Sequence, residues 1–225
     1  MKSLHPSEVG AVLFDLDGTL LDSAPDLAAA ANALRAVRSL KALPLQHYRP
    51  FVGTGARGML RLALDVDEHH QDFQHLREEF FQAYEQRMGA HAQLFEGVEV
   101  LLQALDYRHL PWGIVTNKIA RFAHPITQAC PVLSRAQILV CGDTTAHAKP
   151  HPAPLLTAAQ ALGLPPAACI YVGDDERDMQ AARAAGMGAI AASYGYTGDA
   201  LHVQEWQPDA ILNAPNDLLQ LLRLA

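Results

Sequence analysis

The sequence predicts an α/β protein, a parallel β-sheet assembled from βα units with a helical insertion near its N-terminus. Short apolar runs alternate with longer alanine-rich, helix-compatible stretches, the rhythm of βα units. Several of those runs, among them AVLF, ILVC and CIYV, are continuous rather than alternating, as strands buried on both faces are. The long stretch after the first run, about residues 22–92, is rich in leucine and alanine at helical spacing and holds no convincing buried strand.

The first predicted strand, residues 9–14, ends in acids at Asp15 and Asp17. Residues 22–92 then read as one inserted helical domain, which leaves 1–21 and 93–225 as the sheet-bearing core. From Pro111 the strand pattern returns at 112–115, 137–140, 169–172, 189–191 and 210–212, so five or six parallel strands are expected. A helix over 153–162 is closed by Gly163 and by Pro165 and Pro166 two residues on.

The 225 residues are 50% hydrophobic and 18% charged, which excludes a disordered or fibrous chain. Lys and Arg total 17 against 24 Asp and Glu, a formal charge of -7 with no basic stretch, which argues against nucleic acid and anionic membrane as partners. Three cysteines, Cys130, Cys141 and Cys169, lack any CxxC spacing, lie in apolar runs and read as buried thiols in a reducing compartment. The first residues show no signal-peptide pattern, and the apolar runs fall short of the ~20 residues that span a bilayer, so a cytoplasmic protein is expected.

The strongest local pattern is Asp15-Leu16-Asp17-Gly18-Thr19-Leu20 directly after the first strand. Two carboxylates at a strand's C-terminal end stand where open α/β sheets bind ligands, and Gly18 permits a tight turn there. A capping Asp on a polar strand end would look the same, so the rest of the chain decides. Thr116 and Asn117 follow the strand at 112–115, with Lys118 next, and by themselves would pass for a helix N-cap. Lys149, before Pro150, lies in a loop and alone would pass for a solvated lysine.

The run Val172-Gly173-Asp174-Asp175-Glu176-Arg177-Asp178 ends another strand in acids, with Asp174 and Asp178 one helical turn apart. Capping explains one of these carboxylates. It does not explain several on the edge that already carries Asp15 and Asp17, because clustered like charges are costly and call for a cation. Oxygen ligands without a matching His or Cys cluster point to Mg²⁺, which also accepts phosphate oxygens. His69, His70, His147 and His151 lack metal-site spacing and read as solvated surface.

DLDGTL, VTNK, the lysine of AKPHPAP and VGDDERDMQAARAAG, in that order, resemble the haloacid dehalogenase (HAD) superfamily, in its phosphoglycolate phosphatase-like branch. The resemblance covers nearly the whole chain. It implies a Rossmann-like parallel-sheet core with the helical insertion as a small cap domain, and a small phosphorylated metabolite as substrate. It implies Asp15 as the nucleophile that becomes an aspartyl phosphate. Asp17 becomes the acid and base, an aspartate that dehalogenases lack. Thr116 and Asn117, with the Gly18 turn, would hold the phosphoryl group, and Lys149 would neutralise charge on it and on Asp15. Mg²⁺ would be held by Asp15, the backbone carbonyl of Asp17 and Asp174, with Asp178 in the first or second shell and Asp175 in no assigned role.

In the insertion, Gly53-Thr54-Gly55-Ala56-Arg57 is similar to the loop that faces the active site in this branch, and Arg57 would suit a substrate carboxylate. Two carboxylated phosphates compete. KPHPAPL and VTNK resemble phosphoglycolate phosphatases, whereas Leu94-Phe95-Glu96-Gly97, Arg57 after the glycine turn, Trp112-Gly113 and the GDD form resemble a group acting on N-acetylmuramic acid 6-phosphate. 2-Phosphoglycolate stands first. A β-phosphoglucomutase-like transferase and a non-enzymatic phospho-acceptor module are the remaining readings, and the long insertion and Asp17 argue against the second.

Overall fold

The computed structural model describes residues 8–197 and 203–224. Residues 1–7, part of the stretch inspected above for a leader, lie outside the described residues. The chain forms two compact units, Met1–Leu20 with Leu94–Ala225, and Leu21–Gln93.

The first unit is built on a six-stranded parallel sheet of β1 (Ala11–Phe14), β4 (Trp112–Val115), β5 (Leu139–Val140), β6 (Cys169–Gly173), β7 (Gly188–Ala192) and β8 (Ala210–Leu212), in the order β5-β4-β1-β6-β7-β8. The α/β reading of the sequence is therefore correct. Every residue of β1, β4, β6 and β7 is buried, the reason these strands read as unbroken apolar runs. The run at 137–140 yields only Leu139–Val140, because β5 is an edge strand that pairs with β4 alone.

Helices α5 (Val98–Tyr107), α6 (Ala120–Ala129), α7 (Ala153–Ala161) and α8 (Glu176–Ala185) follow their strands as crossovers. Leu155, Ala158 and Ala159 of α7 and Met179, Ala181 and Ala182 of α8 join Leu13, Val115 and Tyr171 in one buried core. Small residues on α8 let helix and sheet approach closely. Trp112 is buried on β4, and its indole N–H donates to Asp106 Oδ1 at 2.7 Å, so the ring enters the interior without an orphaned donor.

Chain order and strand order diverge at β1. The chain runs from β1 outward through β4 to β5, then returns to β6 on the other side of β1. That reversal makes the carboxyl ends of β1, β4 and β6 a switch point, where open sheets carry their ligand crevice. Register sharpens the placement. Phe14 pairs with both Ile114 and Val172, so the segments beginning at Asp15, Thr116 and Asp174 leave the sheet side by side.

The second unit packs α1 (Ala24–Val37), α3 (Gly55–Leu64) and α4 (Phe73–Glu85), with a short α2 (Leu45–Tyr48). Leu27, Ala31 and Leu34 of α1, Met59, Leu60 and Ala63 of α3 and Leu76, Phe80 and Tyr84 of α4 are buried at helical spacing. Phe80 and Tyr84, one turn apart, stack with their rings 6.4 Å apart. Two short strands, β2 (Leu21–Asp22) and β3 (Gln93–Leu94), pair where the chain crosses between units.

Candidate active site

The site is assembled from β-strand ends. Asp15 follows β1, and its backbone N–H donates to Val172 O at 2.8 Å, which locks the turn to β6. Its side-chain Oδ1 accepts from Leu16 N at 2.7 Å, and the residue stays partly exposed. Gly18 has φ +90°, and a Cβ there would lie 2.0 Å from Asp174 Oδ2, so the turn has no room for a side chain. Asp174, on the loop after β6, is buried and accepts from Thr19 Oγ1 at 2.8 Å and Tyr196 N at 2.9 Å.

Asp178 is fixed by the start of α8. Asp175 is the N-cap, accepting from Arg177 N at 2.9 Å, while Asp178 Oδ2 accepts from Asp175 N at 3.1 Å, a capping box. Sequence reasoning offers capping for one of Asp174 and Asp178; the N-cap itself is Asp175, and Asp178 completes the box from the third helical position. Asp175 is also gripped by Arg177 through Nε and Nη2, each at 2.7 Å. Burial alone would raise the Asp175 pKa, but the Arg177 hydrogen bonds and charge outweigh it and hold it low.

Lys149 is buried, unlike the solvated lysine a loop position suggests. Its ammonium lies 3.0 Å from Asp15 Oδ1 and 2.8 Å from Asp178 Oδ1, and it also donates to Tyr171 Oη at 2.7 Å and Val115 O at 3.1 Å. Tyr171 in turn donates to Val115 O at 2.6 Å. Asn117 clamps the lysine's backbone at both ends, accepting from Lys149 N at 2.9 Å and donating to Lys149 O at 3.0 Å. One N–H and the oxygen of its side-chain amide thus hold the lysine loop. Thr116 is buried beside it, and its hydroxyl oxygen accepts from Lys118 N at 3.1 Å.

Asp17 meets Lys118. The ammonium donates to both carboxylate oxygens, at 3.1 and 3.0 Å, with side-chain exposures of 7% for Lys118 and 16% for Asp17.

Among the described residues, Asp15, Asp174 and Asp178 bring one oxygen each within 4.8 Å of one another. Burial pushes Asp174 well above the usual carboxylate range, and the charges of Asp15 and Asp178 push it further. Burial likewise takes Asp178 up to about 7, because the one ammonium that opposes it is shared with Asp15. For Lys149, burial would favour the neutral amine, but the two facing acids overcome that and raise its pKa. Tyr171 is driven well above the ordinary phenol value by burial and by Asp178, Asp15 and Asp174, so it remains a neutral hydroxyl that donates and accepts. Three carboxyl groups against one ammonium cannot all ionise in a buried place without further positive charge. A hard divalent cation matches that oxygen-only donor set.

Arg57 lies in the second unit, exposed in the first turn of α3, and its Nε is 3.3 Å from Glu68 Oε2. The two line a cavity of about 500 Å³ with Phe51, Thr54, Gly58 and Arg61. His69, His70, His147 and His151 are exposed, as the sequence suggests. The cysteines are free thiols; Cys141 and Cys169 are buried as expected, but Cys130, the C-cap of α6, is only half-buried. No helix among the described residues is long and apolar enough to cross a membrane.

Sequence reasoning missed three things here. Tyr171 was read simply as strand, although a phenol inside an otherwise apolar buried run needs a polar partner and could have raised the question. Thr19 and the Asp17–Lys118 pair depend on tertiary juxtaposition, with no local pattern to announce them.

Residues 12–192 match the family model for haloacid dehalogenase-like hydrolases. The chain is 47% identical over 209 residues to a phosphoglycolate phosphatase of Xanthomonas campestris, covering 92% of this chain and 94% of that protein. It is 40% identical to an N-acetylmuramic acid 6-phosphate phosphatase of Pseudomonas putida, covering 94% and 95%. Among solved structures, a predicted phosphoglycolate phosphatase from Haemophilus somnus superposes with a TM-score of 0.84 at 27% identity, covering 95% of this chain and 98% of that one.

Proposed function

We propose that this chain, which belongs to the haloacid dehalogenase-like hydrolase family, is a Mg²⁺-dependent phosphate monoester hydrolase that works through a phosphorylated Asp15. One observation carries the reading. A partly exposed carboxylate at the end of the central strand touches a buried ammonium and stands beside two further buried acids. The substrate we assign is 2-phosphoglycolate, on the strength of the Xanthomonas relative. N-Acetylmuramic acid 6-phosphate is the second reading, supported by the Pseudomonas relative.

The hydrogen bond and ion pair on Asp15 Oδ1 leave Oδ2 to attack phosphorus. As that P–O bond forms, the ester P–O bond breaks, and Asp17 gives its proton to the departing alkoxide oxygen. In the second displacement Asp17 takes a proton from the attacking water, the P–O bond to Asp15 breaks, and inorganic phosphate leaves. Lys149 stays protonated throughout and stabilises the negative charge on Asp15 and on the phosphoryl oxygens, held in place by Tyr171, Asp178 and the Asn117 clamp. Thr116 and the Gly18 turn line the phosphoryl side.

Asp15, Asp174 and the backbone carbonyl of Asp17 would hold Mg²⁺, with Asp178 supporting them. The ion supplies positive charge against the phosphoryl oxygens and between the clustered acids. The helical unit selects the leaving group, with Arg57 as its candidate for a substrate carboxylate.

The test is phosphate release with Mg²⁺, with and without chelator, from 2-phosphoglycolate, N-acetylmuramic acid 6-phosphate, glucose 6-phosphate and p-nitrophenyl phosphate. A chelator-sensitive preference of about 100-fold in kcat/KM for one carboxylated ester, about 2.7 kcal/mol of discrimination, is expected. Release from none of them overturns the reading.

A further inference from the structure

Among the described residues, Lys149 lies 3.0 Å from Asp15 and Lys118 3.0 Å from Asp17, and the mechanism above uses only Lys149. The Lys118 ammonium is almost wholly withdrawn from solvent and donates to both oxygens of Asp17. Withdrawing an ammonium from water costs several kcal/mol unless an anion answers it. Its backbone is pinned on two sides, by Lys118 N to Thr116 Oγ1 at 3.1 Å and by Gly142 N to Lys118 O at 2.9 Å.

We infer that Lys118 is a specificity-determining residue that binds an anionic group attached to the carbon that bears the ester oxygen. The inference rests on the phosphatase reading and on Asp17 as its acid. To protonate the leaving oxygen, Asp17 must approach it to about 2.6–3.2 Å. Lys118 Nζ is 3.0 Å from the same carboxylate, so it stands within about 6 Å of that oxygen when the acid is in position. A carboxylate attached directly to the ester carbon falls in that range.

A carboxylate on the far side of a sugar ring does not. In N-acetylmuramic acid 6-phosphate the pyranose ring and a lactyl ether separate the carboxylate from the ester oxygen. Lys118 therefore favours short α-carboxylated phosphates, of which 2-phosphoglycolate is the smallest. A compact ammonium serves two carboxylates at once, as Lys149 does here with Asp15 and Asp178. Lys118 would bridge Asp17 and the substrate in the same manner.

The decisive experiment compares 2-phosphoglycolate with 2-hydroxyethyl phosphate, its neutral analogue, in wild-type enzyme and in Lys118→Met, Lys118→Gln, Lys118→Arg and Arg57→Ala. In wild type the carboxylated ester is preferred. Lys118→Met and Lys118→Gln should lower that preference by about 30-fold, mainly through KM for 2-phosphoglycolate, while Lys118→Arg keeps most of it. Equal losses on the two esters in both neutral variants would show that Lys118 serves Asp17 alone and overturn the inference. So would a preference that survives in them and disappears in Arg57→Ala. Wild-type enzyme that hydrolyses neither ester overturns the phosphatase reading itself and the inference with it.

Discussion

Each unit of this protein buries an acid, and the two are treated in opposite ways. Asp26, in the first turn of α1, is fully buried and accepts backbone N–H bonds from Gly89 at 2.7 Å, His91 at 2.9 Å and Ala92 at 3.3 Å. It closes the helical unit on itself. Asp174 and Asp178 are equally buried, yet they face each other and Asp15 with a single shared ammonium. Where a buried carboxylate is surrounded by donors it ties the fold together, and where it is surrounded by carboxylates it stores repulsion that a ligand can release.

Substitutions in the two places should therefore separate activity from stability. Asp15→Asn should abolish turnover, by about a thousandfold or more in kcat, because an amide is no nucleophile. Its metal-free melting temperature should hold or rise, since a like charge has gone. A variant that keeps wild-type turnover with Mg²⁺ would break the assignment. Asp26→Ala should do the reverse, costing about 2–3 kcal/mol in urea unfolding by removing the hydrogen bonds that a fully buried carboxylate accepts from three backbone N–H groups. Folded Asp26→Ala protein should turn over substrate near the wild-type rate.

Tyr171→Phe sharpens the contrast from inside the core. It removes one acceptor from the Lys149 ammonium while preserving the ring. We expect kcat to fall about tenfold with KM little changed, a signature of lost preorganisation rather than lost binding. A change confined to stability would make Tyr171 simply a packed strand residue.

The smallest effect is in pH. Asp174 and Asp178 both hold protons more tightly folded than unfolded. For Asp178, between the unfolded carboxylate value of 3.8 and about 7, the folded state keeps the extra proton, so metal-free stability falls as pH rises across that window. The stabilisation from the raised Lys149 pKa is lost only in strongly alkaline solution and does not contribute here. Thermal unfolding should show Mg²⁺ raising the melting temperature by a few degrees more at pH 8 than at pH 5.5. Equal shifts at the two pH values would remove the charge-relief account.

What was legible follows the same division. Runs such as 112–115 and 210–212 could be bounded from sequence because apolar continuity is a local property. The acids of the candidate site were legible because Asp15 and Asp174 follow buried strands and Asp178 stands one helical turn beyond Asp174. Lys149 was legible only through the order of the family's motifs, since nothing local distinguishes a lysine about to be buried among two carboxylates and a phenol from one in water. Asn117 shows the other kind of gap. Its position was evident, but its amide faces the Lys149 backbone across 32 residues of sequence, and only the folded sheet reveals that partner.

The bond from Thr19 Oγ1 to Asp174 Oδ1 joins residues 155 positions apart. During synthesis at about 5–20 residues per second, the Asp15 turn leaves the ribosome on the order of ten seconds before the β6 strand end that completes the acid cluster. The helical unit and the β4 and β5 segments are all made in that interval. Until β6 docks, the nascent chain has neither the crowded carboxylates nor the cradle that would hold a cation. Binding of the proposed cation would therefore follow closure of the sheet on both sides of its first strand, late in the synthesis of each molecule.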